Sequence, residues 1–279
     1  MTEFNVLAID PNEADAAQKF VQSLQETGFA ILKNHPITAS EIDAMYGAWA
    51  DYFADEQKFA HAPKDGQQDG YFGLKSENAK GSQHKDLKEF YHVYQNAAVP
   101  TSVDEATRSF HSKLLEMGKL LLSWLDHESP VDVKNGLSEA LTSMIEGSQS
   151  NLLRIIHYPP LDESVEPGEV RAAAHEDINL ITLLVTGSEP GLQAQDIDGN
   201  WHDVPCQPGY ITVNSGDMLA KATKGHYRST PHRVINPPKQ ENRSRYSMPL
   251  FVHPRPEVQL DEQTAGEYLD ERLREIGLK

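Results

Sequence analysis

Cysteine is almost absent from this chain, because Cys206 is the single one among 279 residues. A lone cysteine excludes any disulfide within the chain and is typical of proteins kept in a reducing compartment. Residues 1–5 carry neither a basic region nor a long apolar core, so no signal peptide is predicted there. We therefore expect a cytoplasmic protein.

Basic residues are also scarce. The chain has 25 Lys and Arg against 42 Asp and Glu, which gives a formal net charge of −17. Nucleic acids and anionic membrane surfaces both attract clustered Lys and Arg, so this balance argues against either partner. No apolar run approaches the length of a membrane span. We expect a small-molecule substrate, and the sequence leaves the oligomeric state open.

The first half of the chain has helical spacing of apolar residues. An N-cap pattern at Asp10, followed by proline, predicts a helix that ends at Gly28. A capping box that begins at Thr38 predicts a second helix, and apolar residues at helical spacing predict a third over residues 104–126. Residues 1–150 are therefore expected to be mainly helical.

Short apolar segments separated by turns replace the helical pattern after residue 150. Asp198-Gly199-Asn200 is a typical hairpin turn, and Thr264 with Glu267 forms a capping box before a final helix. This order of elements indicates a mixed α+β fold. We expect one domain over residues 1–279, with a strand-rich core at 151–255 and a C-terminal helix at 256–279.

Three residues have the pattern of a metal site. In a strand, residues i and i+2 project from the same face, so His175 and Asp177 can point into one cavity. His232 follows 55 positions after Asp177, far enough for the chain to return on another strand. Two imidazoles and one carboxylate bind Fe(II) on one face and leave the other positions open. His226 is an alternative third ligand.

A second His-x-Asp triplet provides a comparison. His84-Lys85-Asp86 lies in a polar stretch, residues 75–88, and we interpret it as a solvated surface pair that holds no metal. The triplet at His175 directly precedes an apolar, β-branched run at residues 178–185. A carboxylate at the end of such a strand would be costly to bury without a partner or a metal.

Arg245 and Ser247 share one face of a predicted strand, 13 and 15 positions after His232. A guanidinium beside a hydroxyl is suited to bind the far carboxylate of a dicarboxylic acid. Arg243 has the same strand parity and is the alternative for this role.

Ordered motifs along residues 5–254 resemble those of the iron- and 2-oxoglutarate-dependent oxygenases of the isopenicillin N synthase-like group. Glu176, between the His and Asp, and Ile156 depart from the usual residues of that group, and neither removes a ligand. The segments that carry the resemblance are Gly28-Phe29 with Asn34-His35, Gly70-Tyr71, Asp86-Leu87-Lys88-Glu89, Tyr158-Pro159-Pro160, Gly216-Asp217-Met218-Leu219, Ser229-Thr230-Pro231-His232-Arg233-Val234 and Arg245-Tyr246-Ser247-Met248-Pro249-Leu250-Phe251.

The resemblance implies a double-stranded β-helix (jelly-roll) core with the helical N-terminal half packed around it. It implies Fe(II) held by His175, Asp177 and His232, and dioxygen as oxidant. It further implies 2-oxoglutarate held by Arg245, Ser247 and Tyr158, although Tyr158 has a purely structural role as its alternative. The expected reaction is hydroxylation of a small molecule, with decarboxylation of 2-oxoglutarate to succinate and ascorbate as a candidate reductant.

The same resemblance places Tyr71, Phe72 and Tyr91 at the mouth of the active site. Arg154 has the strand parity of Tyr158 and is a candidate cation for a substrate carboxylate. The alternative is that the three aromatic residues are plain packing and that Arg154 pairs with an acid.

Two other functional classes stay open at this point. An iron oxidase of the same fold could dispense with 2-oxoglutarate and take all electrons from its substrate in a cyclisation or desaturation. A non-catalytic binding protein could retain the fold alone, although such a protein would have little reason to keep two histidines and an acid in one cavity.

Overall fold

The computed structural model describes residues 4–64, 66–77 and 84–275. Its helices lie mainly in the first half of the chain, as the apolar spacing predicts. The α-helices of the described residues are α1 (Ala16–Thr27), α2 (Ala39–Ala54), α3 (Asp104–Glu128), α4 (Val131–Gly136), α5 (Leu141–Met144), α6 (Asp217–Ala222) and α7 (Ala265–Glu275). Two short 3-10 helices span Glu56–His61 and Lys239–Glu241.

The strands form two sheets. They are β1 (Ala8–Ile9), β2 (Phe29–Leu32), β3 (Gly70–Phe72), β4 (Glu89–Tyr94), β5 (Leu152–Tyr158), β6 (Ala172–His175), β7 (Ile181–Val185), β8 (Leu192–Gln195), β9 (Trp201–Asp203), β10 (Ile211–Ser215), β11 (His232–Val234) and β12 (Arg245–Val252). The large sheet has the order β1-β2-β10-β7-β12-β5-β4-β3, and the small sheet has the order β6-β11-β8-β9.

Strand β12 shows how the large sheet separates two environments. Its even-numbered residues Met248, Leu250 and Val252 belong to the main core, together with side chains of α1, α2 and α3. Its odd-numbered residues Arg245 and Ser247 are buried on the opposite face. The helices therefore cover one face of the large sheet, and the other face is available for a site.

That second face lies against the small sheet. Ile156 and Tyr158 of β5 pack with Ala172 of β6 and Val234 of β11 in a separate apolar cluster. Two facing sheets with helices on the outside form the jelly-roll arrangement that the family resemblance implied. None of the helices in the described residues is long and apolar enough to cross a membrane.

The helix starts were predicted with mixed success. Thr38 accepts a hydrogen bond from the Glu41 backbone and the Glu41 side chain accepts one from the Thr38 backbone, so the capping box of α2 is confirmed. The prediction for α1 was wrong, because that helix begins at Ala16. The Asp10 carboxylate instead accepts hydrogen bonds from Asn12 and Asn34 and stabilises a turn.

The second half agrees with the turn signals. Strands β8 and β9 form a hairpin around Asp198-Gly199-Asn200. Helix α7 begins with the predicted capping box, in which Thr264 accepts from the Glu267 backbone. The end of the predicted C-terminal helix, residues 276–279, lies outside the described residues.

Candidate metal and co-substrate site

The three predicted metal ligands meet at one edge of the small sheet. His175 ends β6, and His232, which begins β11, is its direct neighbour across the two strands. Asp177 follows β6, and its Oδ1 lies 3.9 Å from His175 Nε2 and 3.7 Å from His232 Nε2. One ligand atom from each residue lies within 4.8 Å of the others. Such a set of donors can close on one metal ion.

Hydrogen bonds orient each of these side chains. His175 Nδ1 donates to the Ala173 carbonyl at 2.8 Å and His232 Nδ1 donates to the Thr230 carbonyl at 3.1 Å, which leaves both Nε2 lone pairs for a metal. Asp177 Oδ2 accepts from Thr182 at 2.5 Å and from Asn214 at 2.8 Å. Its Oδ1 therefore faces the imidazoles.

The protonation of the site suits a metal. Burial, followed by repulsion from His232, lowers the pKa of His175 to about 4, so this imidazole is neutral near pH 7. Burial alone would raise the pKa of Asp177. The two imidazoles and the hydrogen bonds from Asn214 and Thr182 outweigh burial and lower that pKa. The site thus presents a neutral imidazole and an ionised carboxylate, the forms that bind metal.

Backbone packing fixes the position of Asp177. The backbone N–H of Asp217, the residue after Gly216, donates to the Asp177 carbonyl at 2.7 Å. A Cβ on Gly216 would lie 2.4 Å from the Asn179 carbonyl oxygen and 2.8 Å from that of Asp177. Glycine is therefore required for this close approach.

His226, the alternative ligand, lies apart from this set. Within residues 4–64, 66–77 and 84–275, the only group of three or more His, Cys, Asp or Glu side chains placed to hold a metal is that of His175, Asp177 and His232.

The predicted co-substrate residues lie on the large sheet, facing the small one. Arg245 pairs with Tyr158 and Ser247 pairs with Ile156 across β12 and β5, so the four side chains share one face. The Arg245 guanidinium carbon lies 5.2 Å from the Tyr158 ring centre. Arg245 Nε donates to the Glu189 carbonyl, whereas its Nη1 is buried and has no hydrogen-bond partner among the described residues. A buried cationic donor without a partner fits a bound carboxylate.

Arg243, the alternative to Arg245, points away from this region. Its side chain is 68% exposed and pairs with the Glu189 carboxylate at 3.6 Å. Gly187 leaves room for the buried Arg245 side chain. A Cβ at this position would lie 2.7 Å from Arg245 Nη2.

A cavity of about 590 Å³ opens beside the metal ligands His175 and Asp177. This volume is in the range of small-molecule sites. Its wall combines apolar side chains with several charged ones. The charged and histidine residues of the wall are Glu77, Asp86, Lys88, His92, Arg154, His175, Glu176, Asp177, His253 and Arg272. The apolar residues are Leu152, Ala174, Ile178, Pro231, Phe251, Leu269 and Leu273.

Tyr71, Phe72 and Tyr91 are not among the residues that line this cavity, contrary to their predicted placement. Tyr71 and Tyr91 are paired across β3 and β4 and belong to the main core, on the helix-covered face of the large sheet. Phe72 is on the face of the large sheet opposite the helices, but its ring stacks on that of Phe90 with the ring centres 4.8 Å apart. His92 and Tyr94, which have the opposite parity to Tyr91, line the cavity instead.

Arg154 lines the cavity, as predicted, and also pairs with an acid. Its Nη1 lies 2.7 Å from Glu77 Oε1, and Lys88 Nζ lies 2.8 Å from both Glu77 and Asp86. Burial would raise the pKa of Glu77, but the nearby cations Arg154 and Lys88 lower it. The four side chains form a buried network with two charges of each sign.

This network corrects the prediction for the second His-x-Asp triplet. Asp86 is buried, not solvated, and its Oδ1 also accepts from the Ala173 backbone N–H at 3.0 Å. The sequence signal that identifies it is Lys88, which shares the face of Asp86 and supplies the positive charge that a buried carboxylate needs.

Two family models match the chain. The 2OG-Fe(II) oxygenase superfamily matches residues 149–254, and the model described as non-haem dioxygenase in morphine synthesis N-terminal matches residues 3–113. The first match includes the three candidate metal ligands and Arg245.

Relatives and solved structures agree with these matches. A Shewanella oneidensis protein of known crystal structure, assigned as an oxygenase, is 45% identical, with a TM-score of 0.87 over 97% of this chain and 98% of that chain. The 2-oxoglutarate-dependent dioxygenase citB of Monascus ruber is 28% identical over 87% of this chain and 80% of its own. A full-length Neurospora crassa protein, crystallised with alpha-KG (2-oxoglutarate) and 5-formyluracil, is 25% identical, with a TM-score of 0.78 over 95% and 94% of the two chains.

The chain belongs to the iron(II)- and 2-oxoglutarate-dependent oxygenases, and the isopenicillin N synthase-like group fits it. It is a dioxygenase that uses Fe(II) and 2-oxoglutarate and acts on a small molecule. The predicted fold, enzyme class and cofactors are confirmed. Of the three functional classes that the sequence left open, the comparisons support the first.

Proposed function

We propose that His175, Asp177 and His232 hold the Fe(II) of this dioxygenase. Three observations support the assignment: the donor atoms converge, each histidine is held by a hydrogen bond from its Nδ1, and both Nε2 atoms face Asp177 Oδ1. When bound, iron and 2-oxoglutarate together supply the oxidation of an unactivated carbon by dioxygen.

We further propose that Arg245, Ser247 and Tyr158 bind the distal carboxylate of 2-oxoglutarate. The support is the unpartnered, buried Nη1 of Arg245 on the face that Ser247 and Tyr158 share. A guanidinium binds a carboxylate through two parallel hydrogen bonds, and the nearby hydroxyl groups are suited to add further ones.

For the substrate we propose a small, partly apolar molecule that carries a carboxylate and is hydroxylated. The observation that carries this proposal is that Arg154 lines the same cavity as His175 and Asp177. Its Nε is buried and has no hydrogen-bond partner in the part of the chain that the structure describes, although its Nη1 is paired with Glu77. One face of the guanidinium lies 4.5 Å from the Phe90 ring centre, which keeps it in place.

Arg272 on α7 adds a second cation to the same wall, one that sequence reasoning missed. It pairs with Glu275 at 2.8 Å and lies 3.8 Å from Asp217, while its Nε is buried and has no hydrogen-bond partner within the described ranges. Leu269 and Leu273 of the same helix line the cavity beside it. Helix α7 thus contributes two apolar side chains and one guanidinium to the cavity wall.

The test is a comparison of small carboxylic acids with their methyl esters as stimulants of succinate release from 2-oxoglutarate. We expect the acids to stimulate and the esters to do so much more weakly. Arg154→Met should raise the acid concentration needed for half-maximal stimulation by about tenfold or more, because a charged hydrogen bond is worth about 1.5–3 kcal/mol.

The matched control is Arg274→Met, which removes an exposed arginine from α7 near the cavity wall. This variant should respond to the acids as the wild type does. Equal stimulation by acids and esters, or an unchanged response in Arg154→Met, would contradict the proposed substrate class without affecting the iron or 2-oxoglutarate assignments.

A further inference from the structure

Two arginine side chains are almost fully buried near the start of β12. Arg171, directly before β6, is 1% exposed, and Arg245, at the start of β12, is 2% exposed. The Arg171 guanidinium bonds to the backbone of Arg243, two residues before Arg245, and the Arg245 guanidinium carbon lies 5.2 Å from the Tyr158 ring centre. Burial, followed by the charge of Arg245, lowers the pKa of Arg171 to about 10. Arg171 remains a cation near pH 7.

Neither guanidinium has a carboxylate partner at ion-pair distance within the part of the chain that the structure describes. Arg171 Nη2 donates to the Arg243 carbonyl at 2.5 Å, and Arg245 Nε donates to the Glu189 carbonyl at 2.9 Å. Arg171 Nε and Arg245 Nη1 are buried and have no partner. The Glu189 carboxylate is near enough to raise the pKa of Arg171, but its ion pair is with the exposed Arg243.

Two neighbouring buried cations are unfavourable in a protein interior unless an anion compensates both of them. Elsewhere in this chain a buried cation is compensated. Lys88, for example, has both Glu77 and Asp86 at 2.8 Å. A bound carboxylate would supply the missing negative charge and has enough lone pairs for several donors.

We infer that Arg171 is a second guanidinium that binds the distal carboxylate of 2-oxoglutarate together with Arg245. This inference rests on the proposed role of Arg245. Its consequence is a strong requirement for a charged distal end, because a 2-oxo acid that lacks the second carboxylate leaves two desolvated cations unpaired.

The experiment measures the dissociation constants of two ligands by calorimetry on protein loaded with Mn(II) in place of iron. The ligands are 2-oxoglutarate and 2-oxopentanoate, which has the same five-carbon chain without the distal carboxylate. Arg171→Met should weaken 2-oxoglutarate binding by about tenfold or more and leave 2-oxopentanoate binding within about twofold of wild type. Arg255→Met, which removes an arginine bound to backbone carbonyls far from the site, should change neither.

Two results would overturn the inference: unchanged 2-oxoglutarate binding in Arg171→Met, or equal weakening of both ligands, which would indicate a purely structural residue. Arg245→Met serves as the separate test of the proposed clamp, since it should also lose affinity for 2-oxoglutarate alone. If Arg245→Met loses that affinity and Arg171→Met does not, only the role of Arg171 is refuted. If Arg171→Met does not fold, Arg171→Lys, which keeps the charge but loses the forked geometry, should still weaken 2-oxoglutarate selectively.

Discussion

The chain contains the same His-x-Asp pattern twice, and both carboxylates line one cavity. Asp177 receives hydrogen bonds from the neutral side chains of Thr182 and Asn214 on one oxygen, and its other oxygen faces two imidazoles. Asp86 uses one oxygen for the Ala173 backbone and the other for Lys88. Asp177 thus presents Oδ1 to the two imidazoles, whereas both oxygens of Asp86 face donors that hold it in a structural ion pair.

The two copies are also connected. Asp86 bonds to the backbone of Ala173, whose carbonyl in turn accepts from His175 Nδ1. The second copy therefore helps to hold the strand that presents the first. A His-x-Asp pattern alone does not identify a metal site; the partners of the carboxylate decide between a ligand and a structural ion pair.

The largest expected difference between the copies is in metal binding. Asp177→Ala should abolish Fe(II) binding and succinate formation, because it removes the anionic ligand from the three-residue set. Asp86→Ala should retain iron. The measurement is bound iron per chain after anaerobic loading and desalting, with circular dichroism to show that both variants are folded.

His226→Ala is the control for the third ligand. It should keep iron, whereas His232→Ala should lose it. The reverse outcome, iron kept by His232→Ala and lost by His226→Ala, would refute the proposed ligand set.

The second difference should appear in stability. Asp86→Asn removes one of two carboxylates around the buried Lys88, while Glu77 stays in place. We expect a loss of about 1–3 kcal/mol in the free energy of unfolding, measured with urea. Asp104→Asn, which breaks an exposed pair with Arg108, should lose at most about 1 kcal/mol. Equal losses in the two variants would mean that Asp86 is as solvated as its polar surroundings in the sequence suggested.

Much of the architecture could be predicted from local patterns. Capping boxes at Thr38 and Thr264 gave two helix starts, and the spacing of His175, Asp177 and His232 selected three residues that the fold brings together. The capping boxes and the His175/Asp177 pair depend on neighbours within a few residues, whereas His232 lies 55 positions after Asp177 and was selected with the family motif around it.

The substrate wall could not be predicted in this way. Tyr91 and His92 are adjacent in sequence, and only the pairing of β4 with β5 decides which of them faces the cavity. Arg171 is a single arginine before a short strand, with no local pattern to distinguish it. Its burial beside Arg245 results from packing the small sheet on the large one, which is information that lies between distant segments.

The smallest expected effect concerns His92, which belongs to the wall around Asp86. It faces Arg154, Glu77 and Lys88, and its Nδ1 donates to the Gln68 carbonyl at 2.7 Å. Burial, and after it the charge of Arg154, lowers the pKa of His92 well below its ordinary value of 6.5.

The unfolded chain therefore takes up a proton at this position at a pH where the folded protein does not. The contribution of the neutral, buried His92 to the free energy of unfolding is fully present above pH 6.5 and decreases as the pH falls below that value. Between about pH 7 and about pH 5.5, the metal-free wild type should lose roughly 1 kcal/mol more than His92→Gln, measured by urea unfolding at each pH. Parallel curves for the two proteins would show that His92 is protonated as easily in the folded protein as in the unfolded chain.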